Sequence, residues 1–283
     1  RFDFVSVARR ILECPPELPL WRLHDVQRGP EFEPVPALRM GMVLAGHRMP
    51  KRTHNKTHRA RKGWLSSAAY QELCDLYGRF LREEVLPALG AAACGREDME
   101  YVVQSAPVLR VIMPSEHYAT KEHRDADYGH IPEELNFWLP LTPVWGSNSL
   151  FAESWPGQRD FEPFEGDVGD LFRWWGNQCS HYAQPNSTGS TRVTLDFRVI
   201  PRQFWDAAQT GDGASRAQAE QKLWHDGALD IDSYYCLARG DARHARGPAA
   251  EGSQDVGGAA RPLHGSPAAV LEGHAGQGGC AGR

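Results

Sequence analysis

Apolar positions recur in two different periods along the chain, and the change between them falls near residue 100. Between residues 66 and 90, Tyr70, Leu73, Leu76, Tyr77, Phe80, Leu81, Val85 and Leu89 fall at helical spacing. That pattern predicts an amphipathic helix with one face on a core, and Ser66 or Ser67 stands where an N-cap belongs. A second, shorter helix is predicted over 218–223. From Tyr101 the text changes to short apolar runs, predicting strands at 101–103, 108–113, 135–141, 149–154, 170–175 and 192–200. Turn residues lie between them, as in 143–148 and 185–189. Six such runs without helical stretches between them predict an antiparallel sandwich or barrel.

Composition sets the outer limits of this domain. From Gly240 to Arg283 there is no aromatic residue and eleven of the forty-four residues are glycine. Such a segment offers too little apolar surface to offset its ordering entropy, so a disordered tail is expected over 239–283. The expected organisation is an N-terminal extension (1–29), one mainly β domain with helical support (30–238), and that tail.

Charge and cysteine content exclude several classes of protein. With 31 Lys+Arg against 36 Asp+Glu the formal net charge is -5, which argues against a nucleic-acid coat. No apolar run approaches the ~18–20 residues of a membrane span. Six scattered cysteines without a C-x-x-C pair argue against a disulfide scaffold or a zinc ribbon. The sequence begins at Arg1 rather than Met, so targeting stays open and a cytoplasmic location is only the default expectation.

The stretch from Glu122 to His130 concentrates the chemistry. On an extended backbone His123 and Asp125 share a face, because strand side chains alternate. Alone this is a weak signal. His181 follows, and then Arg192 opens the last strong strand, with Thr194 on the same face. Two histidines and one carboxylate on one face of an iron ion leave positions open for a bidentate ligand and for oxygen. A 2-oxoglutarate cosubstrate fills two of them, and its far carboxylate calls for a fixed cation. The planar fork of an arginine suits that role.

His123-x-Asp125, His181 and Arg192-x-Thr194 together resemble the motif set of the iron(II)/2-oxoglutarate-dependent oxygenases. The run from Leu135 to Thr142 resembles the third strand of the phytanoyl-CoA-hydroxylase-like members, where a polar residue matching Asn136 contacts the cosubstrate. A narrower resemblance, to the StrG-type proteins of streptomycin biosynthesis, rests on residues 123–130, 134–154 and 181–201. The resemblance implies a double-stranded β-helix, or cupin-like jelly roll, with Fe(II), 2-oxoglutarate and O2 at its open end. His123 and Asp125 would start a strand of one sheet, His181 would sit on its neighbour, and Arg192 would reach in from the facing sheet. Arg192, Thr194 and Asn136 are the implied cosubstrate contacts. Because Asp125 is present where halogenating relatives carry a small residue, hydroxylation, desaturation or epimerisation of a small polar metabolite is implied rather than halogenation.

Other residues compete with these. Asp127 keeps the parity of Asp125 and is an alternative ligand, while His117 and His130 are expected to flank the site. Arg48, Lys51, Arg52, Lys56, Arg59, Arg61 and Lys62 form a basic stretch. It reads either as a solvated loop or as a clamp for an anionic substrate, with Lys51 and Arg52 as candidate contacts. Trp138, Trp145, Trp155, Trp174 and Trp175 are expected as core and pocket wall rather than as a platform for bases, and Trp138 is a candidate substrate contact. Two other functions fit the same fold: a cupin-like isomerase without 2-oxoglutarate, or a non-catalytic binding module. The expected partner is a small molecule, with no nucleic acid and no membrane, and the sequence leaves the oligomeric state open.

Overall fold

A computed structural model describes residues 1–26, 42–44, 67–92, 99–116, 118–210, 231 and 234–240. The predicted helix at 218–223, the basic stretch with Lys51 and Arg52, His117 and the tail beyond Gly240 lie outside the described residues.

The larger of two antiparallel sheets is organised by one long strand, β10 (Arg192–Pro201). On one side β10 pairs with β3 (Val108–Ile112) and then with β2 (Glu100–Gln104). On its other side it pairs with β5 (Leu135–Pro140), which pairs with β8 (Phe172–Trp174). Strands β1 (Met42–Leu44) and β11 (Tyr235–Arg239) extend the sheet beyond β3 and β2. The smaller sheet runs β4 (Thr120–His123), β9 (His181–Ala183), β6 (Phe151–Ala152) and β7 (Glu162–Pro163). Two facing antiparallel sheets with helices on one outer side make the double-stranded β-helix.

Alternation along β10 separates two environments. Val193, Leu195, Phe197 and Val199 point outward into the main core. There they meet helix α1 (Phe4–Ile11) and helix α2 (Ala68–Phe80). Phe197 stacks on Phe137 at 5.1 Å and takes the edge of Tyr77 at 5.3 Å. Truncating such a buried ring costs ~3–5 kcal/mol. Arg192, Thr194, Asp196 and Arg198 point the other way, between the sheets.

The predicted helix at 66–90 is found as α2, a π-helical turn over Leu81–Val85, and α3 (Leu86–Ala92). Ser67 is the N-cap, accepting from the Tyr70 amide at 3.2 Å. Residues 1–26 do more than extend the domain. Phe4, Val7, Ala8 and Ile11 enter the main core, and Trp21 O accepts from the Thr191 amide at 2.7 Å, bracing the entry to β10. Two tryptophans depart from the expected core role: Trp145 and Trp155 are exposed, whereas Trp138 and Trp174 are buried.

Candidate metal centre and adjoining cavity

His123 and His181 are paired residues of β4 and β9. Each ring is oriented by a backbone carbonyl two residues earlier: His123 Nδ1 lies 2.8 Å from Lys121 O and His181 Nδ1 lies 3.1 Å from Cys179 O. Protons held at both Nδ1 atoms leave both Nε2 lone pairs free to ligate.

Asp125 joins them by a route the sequence pattern does not give. Strand β4 ends at His123 rather than starting there, and Asp125 opens a 3-10 turn, Asp125–Tyr128. The chain is turned by the Asp125 and Ala126 amides, which donate to Gly176 O at 3.0 Å and Asn177 O at 3.2 Å. Asp125 Oδ1 then lies 3.8 Å from His123 Nε2 and 3.7 Å from His181 Nε2. Both spans are shorter than two metal–ligand bonds of about 2.0–2.2 Å laid end to end, so one ion can touch both. One ligand atom from each of the three residues lies within 4.8 Å of the others. Asp127 is turned away, accepting from the Arg124 amide at 3.0 Å and its guanidinium at 3.2 Å.

The electrostatics suit a cation. Burial would raise the Asp125 carboxyl, but the Arg198 guanidinium, its hydrogen bond and the two neighbouring imidazoles His181 and His130 together outweigh it and hold the group well below the usual carboxylate range. Burial pushes the His181 imidazole down to about 4 against the pull of Asp125, with His123 adding to the depression. The site therefore offers an anionic oxygen and a neutral ring nitrogen, the forms a metal takes.

The three residues line a cavity of about 180 Å³ between the sheets, shared with Arg192, Asn136, Trp138, Arg198 and Tyr128. That is below the ~300 Å³ of ordinary ligand pockets. Arg192 is buried, donates through Nη1 to Asn148 O at 2.8 Å and lies 5.5 Å from the centre of the Trp138 ring. Among the described residues no carboxylate pairs with it. Burial, with Arg110 nearby, pushes its guanidinium down to about 9. Its Nε and Trp138 Nε1 are both buried without a hydrogen-bond partner. A buried cation beside unpaired donors is costly unless an anion completes it, and a carboxylate does so.

The remaining predicted contacts are placed differently. Asn136 lines the cavity, but its Nδ2 donates to Asp125 Oδ2 at 2.7 Å. Thr194 is buried and its hydroxyl donates at 3.3 Å to Asp196, which lines the cavity. His130 flanks the site, at 2.9 Å from the Glu134 carboxylate. Sequence reasoning missed Arg198, although its parity with Arg192 along β10 was visible. Glu134, buried at the start of β5, carries no comparable signal.

No family model matches the chain. It is 34% identical over 104 residues to the streptomycin biosynthesis protein StrG of Streptomyces griseus, a match covering 37% of this chain and 49% of the relative. The chain thus spans about half the length of the curated relative it matches. Similar solved structures include the non-heme monooxygenase ThoJ (16% identity, TM-score 0.38, 50% of this chain and 64% of that one). The non-heme alpha ketoglutarate dependent epimerase SnoN is another (16%, 0.34, 45% and 57%). A third is AviO1 from Streptomyces viridochromogenes (23%, 0.33, 44% and 59%). Likenesses this distant say nothing about reaction. No helix among the described residues is long and apolar enough to cross a membrane.

Proposed function

We propose that the chain is a non-haem iron(II)/2-oxoglutarate-dependent oxygenase, of the phytanoyl-CoA-hydroxylase-like kind, that oxidises a small polar metabolite. The observation that carries this reading is the buried Arg192 guanidinium, which makes no ion-pair contact with a described carboxylate, Asp196 being nearby but paired with Arg110, and which opens on the same cavity as His123, Asp125 and His181.

In this reading His123, Asp125 and His181 hold one Fe(II) by three ligands, leaving positions for cosubstrate and oxygen. Arg192 binds the far carboxylate of 2-oxoglutarate, and Trp138 supplies a wall and an N–H donor beside it. Thr194, on the same face of β10 as Arg192, and Asn136 are the further proposed contacts of the cosubstrate. Bound there, iron(II) would supply oxygen activation: one oxygen atom would go to succinate as carbon dioxide leaves, and the other would enter the product of a hydroxylation or leave as water in a desaturation. With Asp125 as an anionic ligand, hydroxylation, desaturation or epimerisation fits the site better than halogenation. The name of the StrG relative places that protein in streptomycin biosynthesis, which favours secondary metabolism as the setting here. Lys51 and Arg52 remain the proposed contacts for an anionic substrate.

The test is succinate release in the presence of Fe(II), ascorbate, 2-oxoglutarate and a panel of small polar metabolites. Succinate formed in step with an oxidised product supports the reading. An Fe(II)-dependent conversion that proceeds without 2-oxoglutarate overturns it and favours a cupin-like isomerase.

A further inference from the structure

Three donors converge on a single oxygen of Asp125. Arg198 Nη2 lies 2.8 Å and Arg198 Nε 3.3 Å from Oδ2, and Asn136 Nδ2 lies 2.7 Å from the same atom. The other oxygen, Oδ1, is the one that faces both histidine Nε2 atoms. Arg198 cannot swing away, because every side of its guanidinium is engaged. Its Nε is 2.7 Å from Glu134 Oε1, and its Nη1 donates to the Tyr234 hydroxyl at 2.8 Å and to Gln104 Oε1 at 3.3 Å. Glu134 is held in turn by the Tyr235 hydroxyl at 2.6 Å and by His130 Nδ1 at 2.9 Å.

A carboxylate can meet a metal through one oxygen or through both. A two-oxygen Asp125 would take a fourth position on a six-coordinate ion, leaving two where 2-oxoglutarate and oxygen together need three. We infer that Arg198, with Asn136 beside it, is a positioning residue that occupies Asp125 Oδ2 and so restricts Asp125 to one-oxygen ligation. The inference rests on the metal reading proposed above and goes further: it assigns the vacancy for oxygen to a guanidinium that never touches the metal. Charge alone does not explain the arrangement, since a point charge would leave Asp125 free to turn. The fixed fork of an arginine is what divides the two oxygens.

The experiment is a titration of the metal-free full chain with Co(II), read by visible absorption and by calorimetry, for the wild type, Arg198→Lys and His181→Ala. The wild type takes up one ion and His181→Ala does not. Arg198→Lys keeps the charge, binds Co(II) about 10–100-fold more weakly, and shows a cobalt spectrum altered in position and intensity. An Arg198→Lys protein with wild-type affinity and spectrum, while His181→Ala loses the ion, overturns the inference and leaves the metal reading standing. Wild type without a bound ion, or His181→Ala binding as well as wild type, overturns both. Where Arg198→Lys fails to fold, judged by its melting curve, Asn136→Ser removes a donor from the same oxygen. A changed cobalt spectrum in that variant supports the grip on Oδ2, and an unchanged one overturns it.

Discussion

His123 and His181 stand opposite each other in the β4–β9 register with ring centroids 4.2 Å apart, although far separated in sequence. A two-strand register thus supplies two of the three candidate ligands, and the 3-10 turn after His123 brings the third. Strands hold such geometry more rigidly than loops, which suits a centre that must keep positions open.

Replacing Arg192 by lysine keeps a positive charge in the cavity but removes Nε and the planar fork. We expect the KM for 2-oxoglutarate to rise by about 10–100-fold, the worth of a charged hydrogen bond of ~1.5–3 kcal/mol, with Fe(II) affinity nearly unchanged. Steady-state kinetics against metal titration separates the two effects. An unchanged KM removes Arg192 from the cosubstrate site.

Gly176 is a close-approach position behind the centre. A Cβ there would sit 2.7 Å from the tip of the Trp174 ring and 2.9 Å from Asn136 Cγ. Gly176 O also accepts from the Asp125 amide. Gly176→Ala should therefore cost ~1–3 kcal/mol of stability by overpacking and weaken metal binding by displacing Asn136. Chemical denaturation and a metal titration of the one variant check both; wild-type values in both contradict the packing described.

Glu153 is a buried carboxylate that touches no metal. It accepts from the Ser180 amide at 2.7 Å, the Arg159 amide at 3.0 Å and the Gly157 amide at 3.3 Å, tying the loop after β6 to the residue before His181. Glu153→Ala removes the shared acceptor of three part-buried amides and should cost ~1–2 kcal/mol, because water can reach the loop donors once the carboxylate is gone. Glu153→Gln, which retains an acceptor, should lose less. The two melting curves decide it, and equal losses would show that the amides do not depend on the acceptor.

Much of this was legible because the relevant signals have short periods. The alternation in Arg192–Pro201 separates its core face from its polar face without any tertiary knowledge; the predicted strands at 108–113, 135–141 and 170–175 contain observed ones, and that at 101–103 lies within one. The smaller sheet was harder to read. Its strands run only two to four residues, too short for a period to register, and β4 is polar because it lies at an edge. Helix α1 spans only eight residues, Phe4–Ile11, too short for its apolar positions to establish a period beside the flanking arginines. The placing of Asp125 depends on backbone bonds to Gly176 and Asn177, and Glu134 meets its partner only when Arg198 arrives from β10. Neither relation is local in sequence.

In the proposed function the triad and Arg192 serve one bound acid. The most direct measurement is calorimetric binding of 2-oxoglutarate to the chain loaded with Mn(II) in place of Fe(II), with and without the metal, for wild type and Arg192→Glu. One molecule bound per chain, much more tightly with metal present and not at all in Arg192→Glu, is the expected result. Binding of equal strength without metal, or undiminished binding in Arg192→Glu, would contradict it.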